Sequence, residues 1–312
     1  MPIVELEHVR KAYDAKIAVE DLSFNIEPGS MFGLLGPNGS GKTSTIRMMI
    51  GITVPDSGGI NLFGEPFTRK NLHRVGYLPE ERGLYKKMKA IDQLIFLGQL
   101  HGLDAATASR RAHAWCERVD IMPAIHKKTE ELSKGMQQKI QFIAALLHEP
   151  ELIIMDEPFS GLDPVNATVL QDILVELRQA GRTVLFSTHR MDQVEKLCDN
   201  ICLIHNSHLV LSGSMREVKS HYPRNRVDMV FEGDTGFLQH PSIEDAKLYS
   251  GRAEIKLRSE DGIAPDAQPL LAEAIRRGTR ITRFEVKEPT LEEIFIEKVT
   301  QSANNGGGKV YA

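Results

Sequence analysis

The amino-acid sequence predicts an α/β protein. A parallel sheet covered on both faces is entered through an N-terminal antiparallel β-subdomain, interrupted by a helical subdomain and followed by a small α+β domain. Three observations predict this. Met31-Phe32-Gly33-Leu34-Leu35 is a continuous apolar run that passes through a glycine-rich turn into a helix from about Lys42 to Ile50. Leu152-Ile153-Ile154-Met155 and Thr183-Val184-Leu185-Phe186 are two further runs of this kind with a helix between them, as strands buried on both faces require. From about Glu81 to Glu149 the apolar spacing is helical instead, with Ile91, Leu94, Ile95 and Leu100 on one face and a second amphipathic stretch from Arg110 to Val119.

The flanking segments follow the same logic. Ile3-Val4-Glu5-Leu6 and Leu22-Ser23-Phe24-Asn25-Ile26 are short β-like runs broken by charged and turn-prone residues, so a β-subdomain opens the chain. His205-Asn206-Ser207-His208 reads as a hairpin turn rather than a metal site. After about Tyr222 alternating runs at Val227–Phe231, Ala253–Leu257 and Ile281–Val286 surround a helix at Leu270–Arg277, and Thr290 is placed to cap a last helix. The expected division is therefore residues 1–221, residues 222–301 and a flexible tail, 302–312, rich in Asn and Gly.

Composition narrows the function. Over 312 residues, 41% are hydrophobic and 26% charged, which is ordinary globular usage. A formal net charge of −4 argues against the nucleic-acid backbone as the main partner, because that affinity comes from clustered Lys and Arg. No apolar run reaches the ~18 residues that span a bilayer. Met1-Pro2-Ile3-Val4-Glu5 lacks the basic-then-apolar order of a signal peptide, so the chain is expected in the cytoplasm. Cys116, Cys198 and Cys202 form no zinc pattern and are expected as buried free thiols.

The chemistry is concentrated in two places. Gly36-Pro37-Asn38-Gly39-Ser40-Gly41-Lys42-Thr43 matches the phosphate-loop pattern directly after a strand and at the start of a helix, with Ser44 next on that helix. Glycines are needed there because the backbone must wrap a β-phosphate with several N–H groups at close range. Lys42 then bridges the β- and γ-phosphates of ATP, and the Thr43 hydroxyl is a ligand for Mg²⁺. Leu152 to Met155 ends in Asp156-Glu157, two carboxylates at the end of a buried strand, where unpaired charge is costly. Asp156 suits the Mg²⁺ shell and Glu157 suits the general base for an attacking water.

Three further segments narrow the choice among phosphate-loop enzymes. Leu132-Ser133-Lys134-Gly135-Met136-Gln137-Gln138 precedes the Asp-Glu strand, Ser160-Gly161-Leu162-Asp163 follows it, and Ser187-Thr188-His189 ends the next strand. In order and spacing, residues 3 to 220 resemble the ATPase domain of ABC transporters, a P-loop NTPase core of ABC type. The resemblance implies a head-to-tail dimer with a second ATPase subunit, a homodimer as the first expectation, in which each ATP lies between one phosphate loop and the other chain's Leu132–Met136 segment. It implies that Ser133 and the Gly135 N–H bind the γ-phosphate, that Asp163 couples the two sites, and that His189 hydrogen-bonds the γ-phosphate and the water. It also places Tyr13 under the adenine.

Two segments depart from the commonest pattern. Glu80, in Gly76-Tyr77-Leu78-Pro79-Glu80, stands where the family usually has a glutamine that reaches Mg²⁺, with Glu81 beside it as an alternative register. Lys134 and Met136 replace Gly and Gln in the signature segment. With the Glu288-Pro289-Thr290-Leu291 region, these traits are similar to the sodium-extrusion type of exporter subunit. The implied partner is an integral membrane permease, received at an apolar surface around Tyr85, Met88, Ile91, Leu94 and Ile95. The alternative is a soluble ATPase of the same type that remodels a protein or nucleic-acid assembly without transport; the single ATPase domain and the lack of a heptad run count against it.

Overall fold

The computed structural model describes residues 1–304 apart from 15, 82 and 260–263. It divides into two compact units, Met1–Gly213 and a second beginning at Ser214. The first opens with a long hairpin, β1 (Val4–Tyr13) and β2 (Lys16–Ile26), in register from Val4↔Ile26. Alternation along β1 would turn Val9 outward; a left-handed His8 (φ 49°) and a register shift between Leu6 and Val9 restore it to the core.

The chain then enters β3 (Met31–Leu35), α1 (Lys42–Met49), β4 (Ser57–Leu62), β5 (Glu65–Pro66) and β6 (Val75–Leu78). The helical subdomain follows as α2 (Ala90–Leu100), α3 (Ala105–Arg118) and α4 (Lys134–Leu146). Its first face differs from the expected docking surface: Ile91 (4% exposed) and Leu94 (0%) are core residues of the subdomain, whereas Tyr85 is 55% exposed. Helical spacing marks the apolar face of α2 without saying whether that face meets α3 and α4 or a partner. The unit closes with β7 (Leu152–Asp156), α5 (Pro164–Gln179), β8 (Thr183–Thr188), α6 (Met191–Leu197), β9 (Asn200–His205) and β10 (His208–Ser214).

Two sheets result. The antiparallel one has the order β2-β1-β4-β5, the other β10-β9-β3-β8-β7-β6 with β9, β3, β8, β7 and β6 mutually parallel. Between the sheets lies one apolar core, in which Phe24 and Phe32 stack with ring centroids 5.2 Å apart. Every residue of β3, β7 and β8 is buried, which is why these strands read as uninterrupted apolar runs. Asn206 and Ser207, both left-handed, make the two-residue turn between β9 and β10. Cys116, Cys198 and Cys202 are buried free thiols, and among the described residues no helix is long and apolar enough to cross a membrane.

The second unit contains α7 (Met215–Ser220), β11 (Arg226–Glu232), β12 (Ile243–Tyr249), β13 (Arg252–Leu257), α8 (Gln268–Arg276), β14 (Arg280–Lys287) and α9 (Leu291–Asn304). Its sheet, β12-β13-β11-β14, is antiparallel, with a 3-10 turn and α8 as crossovers in the split βαβ manner. Val227, Met229 and Phe231 face Phe237, Leu270 and Ala274 in a core of its own. On the opposite face Asp228 accepts from Arg252 (2.8 Å) and Lys287 (2.9 Å), which lower its pKa to about 2. Thr290 accepts from Glu293 N at the start of α9. That helix runs to Asn304, and the rest of the segment read as a tail lies outside the described residues.

Candidate active site

The loop between β3 and α1 is shaped by positions that admit no side chain. A Cβ on Gly36 would lie 2.1 Å from Ile204 O, and one on Gly41 (φ 118°) 2.3 Å from Ala18 O. Between them Pro37 is half-buried, Asn38 and Gly39 are exposed at the crest, and Ser40 is buried with its Oγ lacking a hydrogen-bond partner. Lys42 folds back over the loop, donating to Gly36 O (2.8 Å) and Pro37 O (3.1 Å). Thr43 and Ser44 are half-buried on the first turn of α1, beside its free amides.

Carboxylates converge on that lysine. Burial lowers the Lys42 pKa, opposed by the negative charges of Glu157, Asp156 and Glu80 in that order. Burial raises Glu80, and repulsion from Asp156 and Glu157 adds to it, with Lys42 pulling the other way. Three carboxylates against one ammonium leave the pocket short of positive charge. Asp156, 1% exposed, accepts from the Ser187 hydroxyl through Oδ1, while Oδ2 is buried without a partner among the described residues. An orphaned carboxylate oxygen, the Thr43 hydroxyl and Glu80 are the hard oxygen donors that Mg²⁺ takes. Among the described residues no group of three or more His, Cys, Asp and Glu is arranged to hold a metal alone. The donor set therefore suits an ion that completes its shell with phosphate and water, as Mg²⁺ does.

Glu157 is the most constrained residue here. It adopts φ 50°, a costly conformation for a non-glycine residue, fixed by its N–H on Ser187 O (3.1 Å). Its Oε2 accepts from Thr188 Oγ1 (3.1 Å); its Oε1 accepts from the His189 backbone N–H (3.1 Å) and from His189 Nδ1 (2.8 Å). A carboxylate only accepts, so His189 carries its proton on Nδ1 and turns Nε2 outward, the side chain being 53% exposed. One lone pair of Oε2 is left for a further proton donor.

Ser133, Gly135 and Asp163 form a separate group, and none of them hydrogen-bonds the phosphate loop. Ser133 caps α4 by accepting from Met136 N (3.2 Å), Asp163 caps α5 by accepting from Asn166 N (2.9 Å), and Gly135 lies nearest to Leu162 and Gly161. Asp163 has its pKa lowered by those bonds from Asn166. Tyr13, at the end of β1, is 40% exposed with the Lys11 ammonium 5.5 Å from its ring centre. Two contributors went unforeseen in the sequence: Ser187 on Asp156, and Gln141 of α4, whose Nε2 donates to Glu81 O (3.2 Å). The Ser187-Thr188-His189 run held the signal for the first; nothing local pointed to the second.

Comparison with known proteins gives the family. A family model described as ABC transporter matches residues 19–160, and one described as the C-terminal domain of DrrA1-3-like ATP-binding proteins matches residues 213–299. An uncharacterised ABC transporter ATP-binding protein of Bacillus subtilis, YhaQ, is 43% identical over 95% of this chain and 98% of its own length. The linearmycin resistance ATP-binding protein LnrL of the same organism is 33% identical over 94% and 97% respectively. A solved ATP-binding subunit of an ABC transporter superposes with a TM-score of 0.65 and 30% identity, covering 70% of this chain and 92% of that one. With relatives 43% and 33% identical over nearly the whole length of both chains, the chain belongs to the ABC transporter ATP-binding proteins.

Proposed function

We propose that this ATP-binding subunit hydrolyses ATP at the Lys42–Glu157 site and drives export through a separate membrane permease. The observation that carries the reading is Glu157, held by three donors from β8 and its end, with one lone pair free beside Lys42. Lys42 leaves its loop carbonyls for the β- and γ-phosphates, exchanging two neutral acceptors for charged ones. The amides of residues 39 to 44 and the hydroxyls of Thr43 and Ser44 complete the cradle. Thr43, Asp156 and Glu80 would hold Mg²⁺, which supplies charge neutralisation at the phosphates when bound.

Glu157 then takes the proton of the attacking water on Oε2, and His189 keeps the carboxylate turned toward it. For His189 to hydrogen-bond the γ-phosphate as well, the ring must carry a second proton on Nε2. Ser133, Gly135 and Asp163 stand apart within one chain. Their separate grouping supports a site completed by a second subunit, a homodimer in the simplest case, with Tyr13 exposed for an adenine ring. An apolar groove of about 370 Å³ beside the segment after β6, lined by Ile52, Leu72, Leu84, Leu97, His101 and Gln141, supplies the surface on which a permease helix would dock. The full-length relatives and the resistance function in one of their names favour transport over remodelling of a soluble assembly.

Glu157→Gln tests the reading. Removing the basic carboxylate should lower steady-state turnover by at least ~10²-fold, the low end of general-base assistance. Nucleotide binding should survive, and size-exclusion chromatography should show an ATP-dependent dimer that persists. Turnover near the wild-type rate would remove Glu157 from the reaction.

A further inference from the structure

We propose that Gln141 is a positioning residue that ties the segment carrying Glu80 to the helix capped by Ser133, so that metal sensing and the signature helix respond together. The proposal rests on the reading of Glu80 as a metal-contacting residue. Gln141 is 5% exposed, in the middle of α4. Its Nε2 donates to Glu81 O at 3.2 Å, and because a carbonyl only accepts, the orientation of the amide is fixed by its partner. The other half of the amide, Oε1, is buried with no partner among the described residues.

That imbalance is informative. The neighbouring buried glutamine, Gln93, is satisfied at both ends, accepting from Tyr85 N (2.5 Å) and donating to Thr129 Oγ1 (3.2 Å), as a structural amide should be. Gln141 instead keeps an unpaired acceptor, which costs folding free energy, for one bond to the residue after Glu80. An apolar side chain of similar length would pack the same space without that penalty. What it would lose is the tether between α4 and the segment that leads from β6 past Glu80. Gln141 also lines the apolar groove beside Pro79 and Leu84, so an occupant of the groove meets the tether directly.

The test uses the full chain with Gln141→Met, and Gln93→Met as the structural control. Three readouts are taken: hydrogen exchange of Pro79–Leu84 without nucleotide, binding of a fluorescent ATP analogue with Mg²⁺ and with EDTA, and the melting temperature. Gln141→Met should speed exchange in Pro79–Leu84 by about three- to tenfold and reduce the Mg²⁺-dependent gain in affinity by a similar factor, the size of one hydrogen bond. Binding in EDTA should not change, and the melting temperature should stay level or rise. Gln93→Met should lower the melting temperature. Wild-type exchange and Mg²⁺ response in Gln141→Met would overturn the proposal, as would a fall in melting temperature that carries every readout with it. Glu80→Ala separates the two ideas. If it abolishes the Mg²⁺ response while Gln141→Met leaves it intact, only the tether fails; if neither variant alters the response, the metal role of Glu80 fails and the proposal with it.

Discussion

Lys42 shares its surroundings with Glu157, Asp156 and Glu80; burial first, and then repulsion from Asp156 and Glu157, raises Glu80. Glu80→Gln removes one negative charge while keeping an oxygen donor. It should raise the melting temperature of the nucleotide-free protein at neutral pH and retain substantial ATPase activity, both measurable on the purified chain; a lower melting temperature would show that Glu80 is not repelled. A second residue-scale effect is acid sensitivity at His148. Its ring stacks on His101 with centroids 3.9 Å apart, its Nε2–H donates to Val75 O (3.0 Å), and its Nδ1 is buried without a partner. Burial first, then the charge of His101, lowers its pKa from 6.5 to about 4, against the bond to Val75. The unfolded chain therefore takes up the proton first as pH falls. Stability from this residue is complete above 6.5 and is lost progressively toward about 4. Chemical denaturation across that window should show a shallower loss in His148→Gln than in the wild type. Neither histidine stood out in the sequence, because their pairing joins the end of α2 to the end of α4. Lys42, Asp156, Glu157 and His189 did stand out, because each sits in a run whose neighbours repeat the same chemistry.

Elements were legible where their periodicity was pure. The fully buried strands β3, β7 and β8 appeared as apolar runs, and α1 was announced by its glycine turn. Strand β12 was not foreseen: it is an edge strand with Glu244, Asp245 and Lys247 along it, and such charge protects an open edge while erasing the alternating signal. The length of β1 was likewise hidden, since the extra residue at His8 breaks a period of two. The joint between β3 and α1 yields a prediction at this scale. Gly41→Ala places a methyl 2.3 Å from Ala18 O at φ 118°, so the loop must shift or strain. Backbone strain of on the order of 1–3 kcal/mol is expected. Equilibrium unfolding should show the loss, and nucleotide binding should fall with it. At α4, Ser133→Ala removes the cap on Met136 N and should cost about 1 kcal/mol. If Ser133 also meets a γ-phosphate across a dimer, ATP-dependent dimerisation should weaken by more than that loss of stability explains.

At the scale of the molecule, every residue grouped around Lys42 lies in the first unit, Met1–Gly213. A chain ending at His221 keeps β10 and α7 whole and should bind the ATP analogue with near wild-type affinity, checked by fluorescence titration; failure of the folded truncation to bind would place part of the site in the second unit. The central sheet carries a different consequence, one for synthesis on the ribosome. Strand β3, which delivers the phosphate loop, pairs only with β8 and β9: Met31 lies opposite Val184 and Phe32 opposite Asn200. While the β1–β2–β4 sheet can zip up as soon as Leu62 has emerged, β3 waits unpaired until residues 183–205 leave the exit tunnel. Throughout that interval the phosphate loop hangs from a strand with no neighbours, so a nascent chain stalled before Thr183 should not retain ATP. The cell's nucleotide pool should meet this chain's phosphate loop in its folded form only when translation of the first unit is nearly complete.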